Sequence, residues 1–434
     1  MDPHMTEWLN LALRWVHMIT GVAWIGASFY FVWLENNLNR VNPKDGLAGD
    51  LWAIHGGGIY HLEKYKLAPP SMPDNLHWFK WEAYFTWISG VALLSVVYYF
   101  NAELYLILPG SGISPALAIT IGLGSLIAGW VIYDQLCDSA LGKKPLLLGL
   151  ILFILIIASA WGFSHVFSGR GAFIHVGAII GTIMVGNVFR TIMPAQRALV
   201  KAIEEHREPD PTLPAKGLLR SRHNNYFTLP VLFIMISNHF PSTYGSEYNW
   251  LILAGISIFS ILVRHYFNTR HNSNKFIWTL PVAALGMLAL AFVTAPSYST
   301  LTTSTDKAVS QPTLSTTTST TTPVATPSTT SAKNPPVATA STADGDKLVE
   351  FSEVKSIINE RCTACHSATP THPSFQVAPL GAMLDSSTQI KLLVPKIHAQ
   401  VIASDIMPLG NITQMTEEER ALIGLWIQQG AVTD

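Results

Sequence analysis

Residues 146–163 read LLLGLILFILIIASAWGF and contain no charged side chain. About 20 mostly apolar residues in a helix cross a bilayer core, so this stretch predicts a membrane span. Seven further segments of the 434-residue chain have a similar character, and only 13% of all residues are charged. The sequence therefore predicts an all-α fold, a polytopic membrane bundle of about eight helices within residues 1–296. The predicted spans are about 8–34, 78–100, 115–137, 145–167, 171–193, 226–240, 249–267 and 276–296.

Basic residues are distributed unevenly between the two sides of the predicted bundle. Lys and Arg accumulate in the cytoplasmic loops of membrane proteins. Within residues 1–296, one set of alternating loops holds most of them, and only Arg14 and Arg170 fall on the other side. We therefore predict a multi-pass protein of the bacterial inner membrane with both termini on the periplasmic side. The basic loops are 35–76, 138–144, 190–225 and 264–275, with 4, 2, 7 and 3 Lys plus Arg.

The overall charge and the cysteine count exclude some classes of function. The net charge is −1, which gives no support to a nucleic-acid partner and leaves the lipid bilayer as the expected surroundings. Of three cysteines, Cys137 stands alone in an apolar run. We interpret it as an inert, packed thiol, since a reactive cysteine needs an exposed, electropositive setting.

Residues 297–342 differ sharply in composition from the segments before and after them. They are rich in Thr, Ser, Pro and Ala, as in TTTSTTTPVATPSTTSAKNPPVATAST at 316–342. Such a segment cannot bury enough apolar surface to fold, so we predict a flexible linker. It either lets the following tail reach different partners or serves as a passive spacer.

The tail, residues 343–434, contains the motif Cys-x-x-Cys-His at positions 362–366. This pattern attaches a c-type haem covalently, whereas a zinc site would need a second pair of ligands. We predict that Cys362 and Cys365 form the thioether bonds to one haem c and that His366 is an axial iron ligand. We predict Met407 as the other axial ligand, and Met383 and Met415 are the alternatives.

Two helices are predicted to frame the tail as a class I cytochrome c-like domain. In FSEVKSIINERC, one helical face holds Phe351, Val354, Ile357 and Ile358. In TEEERALIGLWIQQG, Thr416 and Glu419 form a capping box. The apolar stripe of this closing helix is predicted to contain Leu422, Leu425 and Trp426. The tail carries 6 Lys plus Arg and 11 Asp plus Glu, a negative charge that would steer it toward a basic redox partner.

Ionisable side chains inside the predicted spans are candidates for function, because such groups are costly in a bilayer. Four histidines near the periplasmic ends of different helices could form a site. Each could equally be a hydrogen-bonded core residue, and together they could bind a second haem, bind a polar substrate or relay protons. The polar residues predicted at this level are Arg14, His17, His165, Arg170, His175, Asn238 and His239.

A glycine-rich stretch, HGGGIYHLEKY at 55–65, lies in the first basic loop. Glycines allow backbone N–H groups to approach an anion closely. The alternative interpretation is a flexible cytoplasmic turn.

Six stretches together resemble the bacterial membrane-bound urate hydroxylases that carry a fused C-terminal cytochrome c domain. The resemblance covers nearly the whole chain except the linker. It implies oxidation of urate to 5-hydroxyisourate in purine degradation, with water as the oxygen source. It also implies that electrons leave through the haem toward a terminal cytochrome oxidase or a soluble cytochrome c. The stretches are LRWVHMITGVAWIGASFYFVWLENNL, HGGGIYHLEKYKLAP, LHWFKWEAYFTWISG, GNVFRTIMPAQ, SRHNNYFTLPVLFIMISNHFP and IMPLGNITQMTEEER.

Urate chemistry would need a cation for the substrate's charge and a base for water. Arg170 with His175 is the candidate catalytic pair, and His17 and His239 are alternative bases. HMITGVAWIGASFYF also has a local likeness to the first helix of membrane protoporphyrinogen oxidases that bind haem b. That likeness makes His17 the first candidate ligand for a possible haem b in the membrane domain.

A different class of function also fits these patterns. Interior histidines and a tethered cytochrome would suit a subunit that oxidises quinol and has no substrate chemistry of its own. The donor that reduces the haem, urate or quinol, distinguishes the two.

The charge distribution gives a test of topology. We expect a membrane-impermeant reagent applied to intact spheroplasts to modify a cysteine placed at position 345, because both termini are predicted to be periplasmic. A cysteine placed at position 207, in a basic loop, should react only after the membrane is opened. Labelling with the opposite sidedness would exclude the predicted orientation.

Overall fold

The computed structural model describes residues 3–67, 69, 71–210, 212–271, 273–294, 348–373, 375 and 378–433. The predicted linker at 297–342 lies outside the described residues. The chain is mostly helical, with 69% helix and 5% strand, which agrees with the predicted helical class. The helices are α1 Pro3–Asn37, α2 Trp81–Leu94, α3 Ala102–Tyr105, α4 Pro115–Asp138, α5 Pro145–Ser164, α6 Gly169–Gly186, α7 Met193–Glu204, α8 Thr212–Ser237, α9 Pro241–Tyr244, α10 Asn249–Thr269, α11 Thr279–Val293, α12 Phe351–Arg361, α13 Ser387–Ile397 and α14 Glu417–Gln428.

Six helices of the described chain are long and apolar enough to cross a membrane. They coincide with six of the eight predicted spans. The other two predicted spans are also helical. The span at 78–100 is α2 with a π-helical turn at Ser95–Tyr99, and the span at 226–240 is the second half of α8, which contains Pro230. The six helical stretches are Met5–Asn37, Pro115–Asp138, Pro145–Ser164, Gly169–Glu204, Asn249–Thr269 and Asn274–Val293.

The sixth helix, α6, is the most enclosed of these six. Its small residues allow neighbours to approach closely: a Cβ on Gly177 would lie 2.6 Å from a methyl carbon of Ile234 on α8. A Cβ on Gly186 would clash with the ring of Trp130 on α4. Small residues at helix contacts are typical of membrane bundles. The packing therefore places α6 at the centre of the bundle.

A β-hairpin follows α1 and is a departure from the all-α prediction. Strands β1 (Leu47–His55) and β2 (Gly58–Tyr65) pair antiparallel, with His55 opposite Gly58. Gly56 and Gly57 connect them with φ values of +56° and +81°, the backbone that a two-residue type I′ turn requires. Gly56 and Gly57 of HGGGIYHLEKY thus form the tight turn of this hairpin, and Gly58 opens β2.

The tail forms a small helical unit around its own apolar core. Val354, Ile358 and Trp426 are almost fully buried, and Phe351 stacks on Trp426 with ring centroids 5.7 Å apart. The capping box of Thr416 and Glu419 is present at the start of α14. The predicted stripe of α14 is wrong at one position: Leu425 is 42% exposed, because Ile423 takes the buried place beside Trp426.

The tail packs on one end of the helix bundle, hereafter the tail end. A Cβ on Gly245, after α9, would lie 2.5 Å from the Cβ of Ser404 in the tail. A Cβ on Gly410 in the tail would lie 2.9 Å from the carbonyl oxygen of Glu103 on α3. The bundle and the tail therefore contact each other at these two glycines, where a larger side chain would not fit.

The pairing of Arg361 with Glu419 gives a test of the stability of the tail. Arg361 Nε lies 3.0 Å from both carboxylate oxygens of Glu419, and these hydrogen bonds lower the pKa of that carboxyl group. A carboxyl group whose pKa is lowered by folding adds stability above its unfolded pKa of about 4.3, and this contribution is lost as the pH falls through the lowered value.

We expect Glu419→Gln to reduce hydrogen-exchange protection of α12 and α14 at pH 7, because glutamine keeps the capping box but not the charge. The loss should disappear near pH 3, where the parent carboxyl group is protonated as well. Glu353→Gln, which removes an exposed charge from α12, is the control. An equal loss at both pH values would contradict the role assigned to the ion pair.

Candidate functional site

A cavity of about 610 Å³ lies between the tail end of the bundle and the tail. Its walls come from both parts of the chain, so neither part encloses it alone. The bundle contributes Arg14, Tyr105, Arg170, Asn238, His239 and Tyr244, and the tail contributes Cys362, Cys365, His366 and Met407 together with apolar residues such as Ile358, Leu384 and Ile423.

The Cys-x-x-Cys-His motif occupies the turn that ends α12. The backbone N–H groups of Cys365 and His366 donate to the carbonyl oxygen of Cys362 at 3.2 and 2.9 Å, which turns all three side chains toward the cavity lining. His366 Nδ1 lies 2.9 Å from the carbonyl oxygen of Ala382. A ring nitrogen that donates to a carbonyl leaves Nε2 as the metal-binding atom, and such an outer bond orients most histidine ligands.

The position of Met407 distinguishes it from the two alternative methionines. Met407 lines the cavity together with His366, whereas Met383 is absent from the lining and Met415 is 3% exposed in the core of the tail. Two contacts hold the loop of Met407: its N–H donates to Gln400 at 2.9 Å, and its carbonyl oxygen accepts from Arg420 Nη1 at 2.7 Å. One imidazole, one thioether and two thiols therefore face one largely apolar space, and these residues fit the predicted haem c.

Arg170 forms the positively charged wall of the cavity. Its Nε donates to Asn238 Oδ1 and to the Tyr98 hydroxyl, both at 3.2 Å. The guanidinium carbon lies 5.1 Å from the ring centroid of Tyr105. Among the residues that the structure describes, no carboxylate pairs with Arg170 or with Arg14. The two cations therefore create a site that favours an anion.

The phenol of Tyr105 stays neutral beside this cation. Burial raises its pKa, and the charge of Arg170 opposes that rise only in part. A neutral hydroxyl can donate a hydrogen bond, so the Tyr105 side chain offers both an aromatic face and a donor to the cavity.

The four predicted catalytic residues do not form one group. Arg170 and the exposed His239 line the cavity, while His17 and His175 are absent from its lining. His175 is fully buried; its Nδ1 lies 2.8 Å from the carbonyl oxygen of Gly171 and its Nε2 lies 3.1 Å from the Tyr99 hydroxyl. Arg170 and His175 are five positions apart on α6. Their side chains therefore point in directions about 140° apart around the helix axis.

His17 lies between α1 and α2 rather than in the cavity lining. Its Nδ1 is 3.0 Å from the carbonyl oxygen of Thr86 and 3.0 Å from the Ser89 hydroxyl. This bond orients the ring and leaves Nε2 as the nitrogen that could bind iron. The role of His17 with a haem b stays a prediction.

The aromatic partners of Arg170 were not predicted from the sequence. Tyr98 lies within the π-helical turn after α2, Tyr105 belongs to the four-residue helix α3, and Tyr244 belongs to the four-residue helix α9. Periodicity does not reveal such short elements, and the only available signal was the presence of tyrosines near the ends of two predicted spans.

The described residues define a mostly helical protein with several helices of membrane-spanning length. A family model described as Urate oxidase N-terminal matches residues 3–295, and the chain belongs to this family. None of the curated proteins and none of the solved structures matches the chain significantly. The family match supports a urate-related function of oxidoreductase type.

The choice of Met407 as axial ligand can be tested by redox titration of the purified full-length protein. A thioether ligand raises the potential of haem iron, so we expect Met407→Ala to lower it while the haem stays attached to its cysteines. Met415→Leu and Met383→Leu should leave the potential near that of the parent protein. A potential that changes in a control variant and not in Met407→Ala would identify a different ligand.

Proposed function

We propose that this protein is a membrane-bound urate hydroxylase, which oxidises urate to 5-hydroxyisourate. The reaction consumes one urate and one water and yields the product, two electrons and two protons. Membership of the Urate oxidase N-terminal family supports urate as the substrate. Six helices of membrane-spanning length support a multi-pass protein, which we place in the bacterial inner membrane with both termini periplasmic.

One observation carries the proposal: the uncompensated arginines of the bundle line the same cavity as the haem-attachment residues of the tail. A substrate anion bound by Arg14 and Arg170 would therefore lie next to Cys362, Cys365, His366 and Met407. Haem c, held by the two cysteines with His366 and Met407 as axial ligands, would accept the two electrons one after the other and pass each on toward a terminal oxidase or a soluble cytochrome c.

The residues of the bundle have separate roles in this proposal. Arg170 holds the urate anion, since Tyr98 and Asn238 fix its Nε and leave the rest of the guanidinium group for the ligand. Tyr105 offers an aromatic face beside that cation. His239 accepts a proton from the water that adds to the ring, because it is the histidine of the bundle that lines the cavity. The protons then leave through the exposed side of this imidazole.

The proposal is tested by a reduced-minus-oxidised spectrum of the full-length protein after urate is added without oxygen. We expect a reduced haem c band in the parent protein and none in Cys362→Ala, which lacks one thioether bond. A haem that quinol reduces and urate does not would overturn the proposal and support the electron-transfer alternative.

We expect Arg170→Gln and His239→Ala each to slow haem reduction by urate about 100-fold, the usual effect of removing an electrostatic or proton-transferring group. His165→Ala is the matched control, because His165 is also exposed at the tail end but does not line the cavity. Equal rates in His239→Ala and His165→Ala would remove His239 from the proposed chemistry.

A further inference from the structure

The β-hairpin between α1 and α2 has an uncharged end. Residues 51–62 read LWAIHGGGIYHL and contain no Asp, Glu, Lys or Arg. Four large side chains of this end are exposed, and we call them the apolar tip. Their exposed fractions are 65% for Trp52, 77% for Ile54, 74% for Ile59 and 53% for Tyr60. Large apolar groups that are exposed together mark surfaces that contact another molecule or a membrane.

The charged residues of the hairpin lie at its base. Asp50 and Glu63 are opposite each other, directly before and after the uncharged stretch. Lys44 Nζ lies 2.8 Å from Glu63 Oε1, and Lys64 pairs with Glu35 at the end of α1. In both of these pairs the two charges balance each other. The hairpin is therefore polar at the base, where it is tied to α1, and apolar at the opposite end.

The apolar tip is exposed on both faces of the two-stranded sheet. Ile54 is directly opposite Ile59, so these two side chains lie on the same face. Tyr60 follows Ile59 along β2 and therefore points to the other face. A protein partner that docks on one face would leave the other face in water. A layer that surrounds the hairpin, such as the headgroup region of a bilayer, covers both.

Aromatic side chains place the base of the hairpin near the boundary between membrane and water. Helix α1 is long and apolar enough to cross a membrane, and Phe31 and Trp33 are exposed near its end. Phe31 contacts Phe79, just before α2, with ring centroids 4.9 Å apart. Aromatic residues of this kind are enriched at both surfaces of a bilayer.

The backbone turns the hairpin back at this boundary. Asn39 and Asp50 exchange two hydrogen bonds, at 2.7 and 3.1 Å, in an antiparallel bridge. Strand β1 therefore runs opposite to the direction in which the chain leaves α1. The hairpin does not simply continue the path of the helix away from the membrane.

We propose that the apolar tip inserts shallowly into the bilayer leaflet next to the end of α1. Its partner is lipid, at the boundary between headgroups and acyl chains, the layer that Trp and Tyr favour. An isolated two-stranded hairpin is marginally stable in water, so contact with lipid also stabilises the hairpin itself. Insertion stays shallow because the outer edge of β2 pairs with no other strand of the described chain. Its backbone groups need water, which the hydrocarbon core lacks.

This lipid contact is separate from the cavity. Arg14, which lines the cavity, precedes Asn37 at the end of α1 by 23 residues, which corresponds to about 35 Å along the helix. The inserted tip holds the connection between α1 and α2 against the membrane at the opposite end of the bundle. The inference therefore goes beyond the proposed function and can be tested without urate.

The experiment measures how often a nitroxide spin label collides with oxygen, which concentrates in lipid, and with a water-soluble nickel chelate. The full-length protein is reconstituted in phosphatidylcholine vesicles, because the balanced charges at the base require no anionic lipid. Labels are attached at Ile54→Cys and, in a separate sample, at Ile59→Cys. Every sample carries Cys137→Ser, and a sample without an introduced cysteine gives the background signal of Cys362 and Cys365.

We expect the ratio of oxygen to nickel collisions at positions 54 and 59 to be several times the ratio for Lys66→Cys. Lys66 is the matched control, since it is exposed at the base of the same hairpin. The ratio should stay below that of Leu285→Cys, at an exposed position in the middle of α11, because the insertion is shallow. A ratio equal to that at position 66 would place the tip in water and overturn the inference.

A label on the other face distinguishes lipid from a protein partner. We expect Tyr60→Cys to prefer oxygen as Ile59→Cys does, since lipid surrounds both faces. Labels at 54 and 59 that are shielded from both reagents would identify contact with a second copy of the chain and overturn the inference. A label at 60 that prefers the nickel chelate would exclude insertion of the tip. Three exposed positions keep the test decisive if one variant does not fold.

Discussion

The cost of holding a guanidinium group among membrane-spanning helices governs the arrangement of this protein. Such a charge needs a carboxylate, an aromatic ring or a ligand. Arg220 is paired with two aspartates, whereas Arg170 and Arg264 have aromatic rings and amide oxygens but no acid. The two carboxylates balance the charge of Arg220 within the chain itself. Without an acid, Arg170 keeps positive charge available for a substrate, and the proposed urate site follows from it.

Local sequence patterns predicted those features that depend on neighbouring residues. Periodicity and apolar composition were enough to predict six spans and the buried face of α12 with Val354 and Ile358. The capping box of Thr416 with Glu419 could be predicted because it depends on two side chains three positions apart. The predictions failed where several elements decide together. Leu425 has the spacing of a buried residue, but the rotation of α14 in the tail core exposes it.

The candidate sites show the same limit more strongly. The sequence indicated Arg170 and His239 as polar residues at one level, yet His175 shared that level and turned out to be a fully hydrogen-bonded core residue. Arg264 was counted as a loop charge, because the predicted basic loop 264–275 overlapped the end of the predicted span 249–267. Helix α10 continues to Thr269, and Arg264 faces inward. Helix phase, rather than composition, decides such cases.

The contact between the bundle and the tail has a consequence for how this architecture can diversify. Gly245 and Gly410 meet the other part of the chain through distances that exclude a larger side chain. A bundle from one relative and a tail from another would therefore fit only where both glycines, and the backbone facing them, are retained. Each glycine and the backbone facing it should therefore change together during evolution. Recombination between relatives is then limited by the fit of this contact surface more than by the fold of the bundle or of the tail.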